Sequence, residues 1–126
     1  MYMNTPASLL ICEDEPLIQS VYKKYLEKQG YTVLTANNGK EGLKMAKTNH
    51  PDLILLDILM PVMDGLAALK ELRKDAWGKT ANVLVLTNLS MTDDQTYTKE
   101  YGVKGFLIKA DHSLKEVGDL IKQTLG

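Results

Sequence analysis

Glu13-Asp14-Glu15, Asp57, Thr87 and Lys109 each follow directly on a short apolar run. Four carboxylates, a hydroxyl and an ammonium at strand-like ends suit one kind of chemistry. Two charges about 4 Å apart at an effective dielectric of about 20 repel by roughly 4 kcal/mol. Glu13, Asp14 and Asp57, if brought together, must therefore share a proton or hold a divalent cation. Oxygen-only ligands suit magnesium (or manganese), which keeps several waters and often accompanies a phosphoryl group. Lys109 and Thr87 opposite them would complete a cradle for a phosphoryl group on one carboxylate. An aspartyl nucleophile is established chemistry for phosphoryl transfer, because a metal neutralises the developing charge.

That chemistry requires elements that bring distant residues to one edge. Apolar runs at Leu9–Cys12, Tyr31–Ala36, Leu53–Leu56, Val83–Leu86 and Phe106–Ile108 read as strands. Amphipathic helices alternate with them. Leu17, Ile18, Val21, Tyr22, Tyr25 and Leu26 keep helical spacing, as do Leu66, Leu69 and Leu72, and Leu114, Val117, Leu120, Ile121 and Leu125. Pro16 suits a first helical turn. Asn38 with Glu41, Ser90 with Asp93 and Ser113 with Glu116 have capping-box spacing or close to it, while Gly30 and Gly102 mark stops. Asp64-Gly65 reads as a turn and helix start. Five β–α units with doubly buried strands predict an α/β fold, a parallel sheet covered on both faces by helices. Such sheets bind ligands at the carboxyl ends of their strands, where the strand order reverses.

Composition excludes other classes. With 126 residues, 44% apolar and 25% charged, the chain reads as one globular domain, 1–126, with its core at about 8–125. A net charge of −1 and no basic run give no reason to expect nucleic-acid or membrane binding. The single cysteine, Cys12, cannot form an internal disulfide and reads as core. No secretory signal or membrane-length apolar segment is visible, so the expected compartment is the cytoplasm.

Each residue alone has a plainer role. Glu13 and Asp14 could cap the first helix, Thr87 could be an ordinary strand residue, and Lys109 a solvated charge. An acidic pair, Asp, Thr and Lys at separate strand ends, in this order, is hard to obtain by accident.

With Glu13-Asp14-Glu15-Pro16, Asp57, Met60-Pro61-Val62-Met63-Asp64-Gly65, Thr87 and Phe106-Leu-Ile-Lys109 in view, the chain resembles the receiver domain of two-component response regulators from about Ser8 to Leu125. The resemblance implies a doubly wound, flavodoxin-like (βα)5 fold with strand order 2-1-3-4-5. It implies that Asp57 accepts a phosphoryl group from a histidine kinase, a phosphotransfer protein or a small phosphodonor. Asp14, Asp57 and the backbone carbonyl of Leu59 would ligate magnesium, with Glu13 acting through a water. Lys109 and Thr87 would hold the phosphoryl oxygens, and Phe106 would turn inward as Thr87 moves. The output surface would be the fourth helix, fifth strand and fifth helix, roughly Met91–Leu125. Its mixed charge (Asp93, Asp94, Lys99, Glu100, Lys115, Glu116, Asp119, Lys122) fits either a homodimer or another downstream protein. Such a protein is no enzyme beyond catalysing its own phosphorylation and dephosphorylation.

The chain departs from the family's pattern in places. Ala110 replaces the usual proline after Lys109. A cis bond before a non-proline residue costs about 3–4 kcal/mol, so a trans, rearranged loop is expected. Asn88 is larger than usual and narrows access to the phosphoryl group. Leu59 and Leu89 are apolar and are expected to hinder an attacking water, prolonging the phosphorylated state. Phe106 lacks the hydroxyl of the common tyrosine.

Three other functions fit the sequence less well. A phosphatase of the haloacid dehalogenase type needs a second Asp two residues after the nucleophile, where this chain has Leu59. A flavin module needs a hydroxyl- and glycine-rich loop after strand one, where Glu13-Asp14-Glu15-Pro16 would repel phosphate. A receiver-like interaction module acting without phosphorylation is the remaining alternative, and the intact acidic set speaks against it.

Overall fold

The structure, a computed structural model, describes residues 5–88 and 99–126. Strands β1 (Ser8–Cys12), β2 (Thr32–Ala36), β3 (Leu53–Leu56), β4 (Val83–Thr87) and β5 (Gly105–Ile108) form one parallel sheet in the order β2-β1-β3-β4-β5. Helices α1 (Pro16–Lys28), α2 (Gly39–Asn49) and α3 (Gly65–Lys74) and the C-terminal helix (Leu114–Leu125) cover it. The strands lie within a residue of the expected bounds. The expected start signal at Ser90 and Asp93 lies outside the described residues.

Side chains alternate across a strand, so each central strand feeds two cores. Leu9, Ile11, Leu53, Leu55, Leu84 and Leu86 pack with Tyr22 and Leu26 of α1 and Val117 and Ile121 of the C-terminal helix. Their neighbours Leu10, Cys12, Ile54, Leu56 and Val83 pack with Ala46 of α2 and Leu69 and Leu72 of α3. This is why the strands read as unbroken apolar runs. Cys12 is buried, and burial, with a smaller effect from Glu41, pushes its thiol pKa up to about 12, far from reactivity.

The helix starts follow their caps. Asn38 accepts a hydrogen bond from Glu41 N (2.8 Å) and Asp64 from Ala67 N (2.8 Å), while Ser113 and Glu116 form a capping box. Gly65 is required sterically: a Cβ there would lie 2.0 Å from the Asp57 carbonyl oxygen. The head of α3 thus rests directly on the backbone of Asp57, and Gly65 N donates to Ile58 O (2.9 Å).

Between them the chain makes a tight γ-turn, in which Met63 N donates to Pro61 O (2.7 Å) and Val62 takes φ +68°. A β-branched residue in that region is strained by about 1–3 kcal/mol. All peptide bonds of the described residues are trans, Lys109–Ala110 included, and Lys109–Asp111 forms a 3-10 turn in line with the expected rearrangement. Among the described residues no helix is long and apolar enough to cross a membrane.

Because the obstacle at Gly65 is backbone, which cannot rotate away, Gly65→Ala is expected to destabilise the fold by about 3 kcal/mol. Urea unfolding checks this, and an unchanged midpoint would refute the contact.

Candidate functional site

The strand order reverses between β1 and β3, and the crevice there opens between Glu13-Asp14 and Asp57. Backbone hydrogen bonds set both loops: Glu13 N donates to Ala36 O (3.0 Å) and Asp57 N to Cys12 O (3.1 Å). Carboxylate oxygens of Glu13, Asp14 and Asp57 lie within 4.8 Å of one another. Glu13 and Asp57 are buried and Asp14 is half-buried.

Lys109 reaches this cluster from the end of β5. Its ammonium donates to Glu13 Oε1 and to Asp57 Oδ2, the latter at 2.9 Å. The other oxygens are also engaged. Glu15 N donates to Glu13 Oε2 (3.0 Å), and Leu59 N donates to Asp57 Oδ1 (3.1 Å). Thr87 is fully buried at the end of β4 and is registered beside Ile108, the residue before Lys109. The structure therefore brings Glu13, Asp14, Asp57, Leu59, Thr87 and Lys109 to one edge. Phe106 lies further down β5, opposite Val85, and is half-buried.

Charge balance follows from this geometry. Burial raises the Glu13 pKa above the ordinary glutamate value, and the Lys109 ammonium and Glu15 N–H offset that only in part. Burial opposes the Lys109 ammonium, yet its bonds to Glu13 and Asp57 outweigh this and raise its pKa. The cluster has an excess of negative charge, and its donors are all oxygens. That is the chemistry of a hard divalent cation site.

One residue of the site escaped the sequence reading. Gln19 of α1 donates from Nε2 to Glu13 O (2.9 Å), Ala36 O (3.3 Å) and Asn37 Oδ1 (3.0 Å), bracing the acidic loop. Its only signal was a polar side chain beside the buried stripe of α1.

The four large hydrophobic side chains exposed among the described residues lie on this same edge. Leu17 (77%) and Val21 (43%) stand on the first turns of α1, and Leu59 (54%) and Val62 (78%) on the loop after Asp57. Spacing alone placed Leu17 and Val21 with the helix's apolar residues. The structure turns them outward, into a groove with Asn88, Lys109 and Ala110.

The pH dependence of stability tests the ion pairs. A raised Glu13 pKa stabilises the fold below the unfolded glutamate value, and this is lost as pH rises through the folded value. The raised Lys109 pKa stabilises below the ordinary lysine value and is lost only in alkali. Lys109→Met should therefore make stability fall more steeply than in wild type as pH rises above the ordinary glutamate value. Urea midpoints measure this, and Glu13→Gln in the same background should remove the added slope.

Comparison with known proteins is consistent with this geometry. Residues 9–117 match the family profile of the response regulator receiver domain. PilH of Pseudomonas aeruginosa is 35% identical over 103 residues, covering 82% of this chain and 85% of PilH. The solved structure of the chemotaxis protein CheY4 of Vibrio cholerae has a TM-score of 0.87 at 28% identity, covering 95% of this chain and 99% of that one. The receiver domain of the Pseudomonas aeruginosa sensor histidine kinase PA1611, solved with a magnesium ion coordinated in its active-site cleft, has a TM-score of 0.87 at 26% identity, covering 97% and 99%. Other curated relatives are about twice as long, and this chain spans 48% of one and 47% of another. With its fold, its acidic cluster and these likenesses in agreement, the chain belongs to the family of response regulator receiver domains.

Proposed function

We propose that this receiver domain is a cytoplasmic signalling switch that accepts a phosphoryl group on Asp57 and presents a changed surface to a partner. The observation that carries this reading is the Lys109 ammonium held 2.9 Å from Asp57, with Glu13 and Asp14 gathered beside it. Asp57 attacks phosphorus, the bond from phosphorus to the donor's imidazole nitrogen or carboxylate oxygen breaks, and the donor leaves with that electron pair. Lys109, already placed at Asp57, faces the phosphoryl oxygens, and the Thr87 hydroxyl bonds one of them.

The oxygen-only donor set fits magnesium or manganese, with Asp14, Asp57 and the Leu59 carbonyl as ligands and Glu13 as the more distant partner. When bound, the ion neutralises negative charge shared by the carboxylates and the incoming phosphoryl group. As a domain, residues 1–126 act by binding rather than by turnover of a separate substrate. The output surface is the described β5 and C-terminal helix together with the segment before them, part of which lies outside the described residues. A downstream protein or a second copy is its partner.

The exposed apolar edge supports a protein phosphodonor. Leu17, Val21, Leu59 and Val62 surround a carboxylate that is itself buried. Large apolar side chains gathered on one exposed edge mark an interaction surface. A histidine kinase or phosphotransfer protein would cover them while its phosphohistidine reaches Asp57. Leu17→Asp should slow transfer from a phosphorylated phosphotransfer protein by about tenfold, the effect of losing roughly 1.4 kcal/mol of contact. The rate with acetyl phosphate should stay unchanged, and equal slowing of both would refute the docking role.

Intact mass after incubation with acetyl phosphate and magnesium tests the acceptor reading directly. One added phosphoryl group, absent in Asp57→Ala and without metal, is expected. No gain in wild type with either donor would instead favour a module acting without phosphorylation.

Leu59 lies at the mouth and Leu89 lies outside the described residues. Leu59 should keep the phosphorylated form alive for longer than seconds without added phosphatase. Leu59→Asn, which can orient a water, should shorten that lifetime by about tenfold.

A further inference from the structure

Arg73, in the last turn of α3, takes no part in the acidic site. Its guanidinium meets no carboxylate among the described residues and donates only to backbone carbonyls. Nε reaches Tyr101 O (2.7 Å), Nη1 reaches Gly78 O (2.7 Å) and Ala81 O (2.8 Å), and Nη2 reaches Gly102 O (3.4 Å). Gly78 and Ala81 frame the turn that enters β4. Tyr101 and Gly102 close the turn after helical Lys99 and Glu100, where Gly102 N donates to Lys99 O (3.0 Å) and Gly102 takes φ +70°. Arg73 thus caps the carbonyl end of that helix, where a cation is favoured. Two residues on, Lys104 N donates to Val83 O (2.8 Å) and the chain enters β5.

The other end of α3 is equally constrained. Gly65 N is bonded to Ile58 O, and Gly65 lies too close to the Asp57 carbonyl oxygen to admit a Cβ. Asp64 caps the helix, and Ala68, Leu69 and Leu72 bury its inner face. A hydrogen-bonded helix of 10 residues is stiff along its axis. A displacement at its head is therefore carried to its tail. There a planar fork with fixed donor directions is sensitive to shifts of a fraction of an ångström.

We propose that Arg73 is a positioning residue that couples the Asp57 backbone, through α3, to the Tyr101–Gly102 turn at the entrance to β5. Occupancy of Asp57 then reaches the start of β5 by a helix on one face of the sheet, separately from Thr87 at the end of β4. The inference rests on the phosphoryl-acceptor reading of Asp57.

The test follows backbone amide resonances of the full chain, before and after acetyl phosphate and magnesium, in wild type, Arg73→Met and Arg73→Lys. Intact mass is read on the same samples. In wild type, amides at residues 99–103 should shift together with those at 57–65. Arg73→Met should still gain the phosphoryl group and keep the shifts at 57–65, but lose those at 99–103. Arg73→Lys keeps the charge but not the planar fork, so it should lose them too even if Arg73→Met folds poorly.

Shifts at 99–103 that persist in both variants would overturn the coupling. So would their absence in phosphorylated wild type. A wild type that gains no phosphoryl group would overturn the acceptor reading, and this inference with it, and the mass spectrum separates that outcome from the other two.

Discussion

The Lys109 ammonium between Glu13 and Asp57 is the interaction on which the rest of the site depends. Three carboxylates at the mouth of a parallel sheet repel one another, and two of them are buried. A single cation from the far edge of the sheet makes the arrangement tolerable without cancelling its charge. A partner-bound ion pair of this kind contributes little net stability, because desolvation offsets attraction. Its consequence is a concentrated, oxygen-only negative site whose donors suit a divalent cation. Burial raises the pKa of Glu13, and its bond to Lys109 offsets only part of that.

The backbone around Asp57 is held as tightly as its side chain. Leu59 N binds one carboxylate oxygen, Gly65 packs against the carbonyl, and the γ-turn at Val62 carries the chain between them. The strain of that turn and the outward apolar side chains of Leu59 and Val62 lie within a few residues of Asp57. Local conformational cost and exposed apolar surface are therefore concentrated at the one edge where the proposed chemistry and docking take place. At the opposite ends of the strands Arg73 donates to four backbone carbonyls and Asp52 accepts from Ser8 N (2.7 Å).

Much of this was legible in the sequence. Leu53–Leu56 had to be a doubly buried strand because four consecutive aliphatic residues cannot all face one side of a sheet. Asn38, Asp64 and Ser113 announced their helices because their side chains replace missing backbone partners. Asp57, Asp14, Glu13, Thr87 and Lys109 were recognisable because strand ends in such a sheet share one edge. Gln19, Arg73 and the outward turn of Leu17 and Val21 were not. Their roles are set by what lies opposite them in space, and helical periodicity does not say where a neighbouring helix ends its cover.

The division has a physical origin. Secondary structure, the parallel sheet covered on both faces and the membership of the acidic set rest on local propensity, side-chain alternation and parallel-sheet topology, which the sequence by itself determines. The strand order came from the family resemblance. Which carboxylate receives the lysine, which glycine must remain bare, and which apolar residues face water rest on distances between elements far apart in the chain. Lys109 and Glu13 are separated by 96 positions, and only tertiary packing places their charges together.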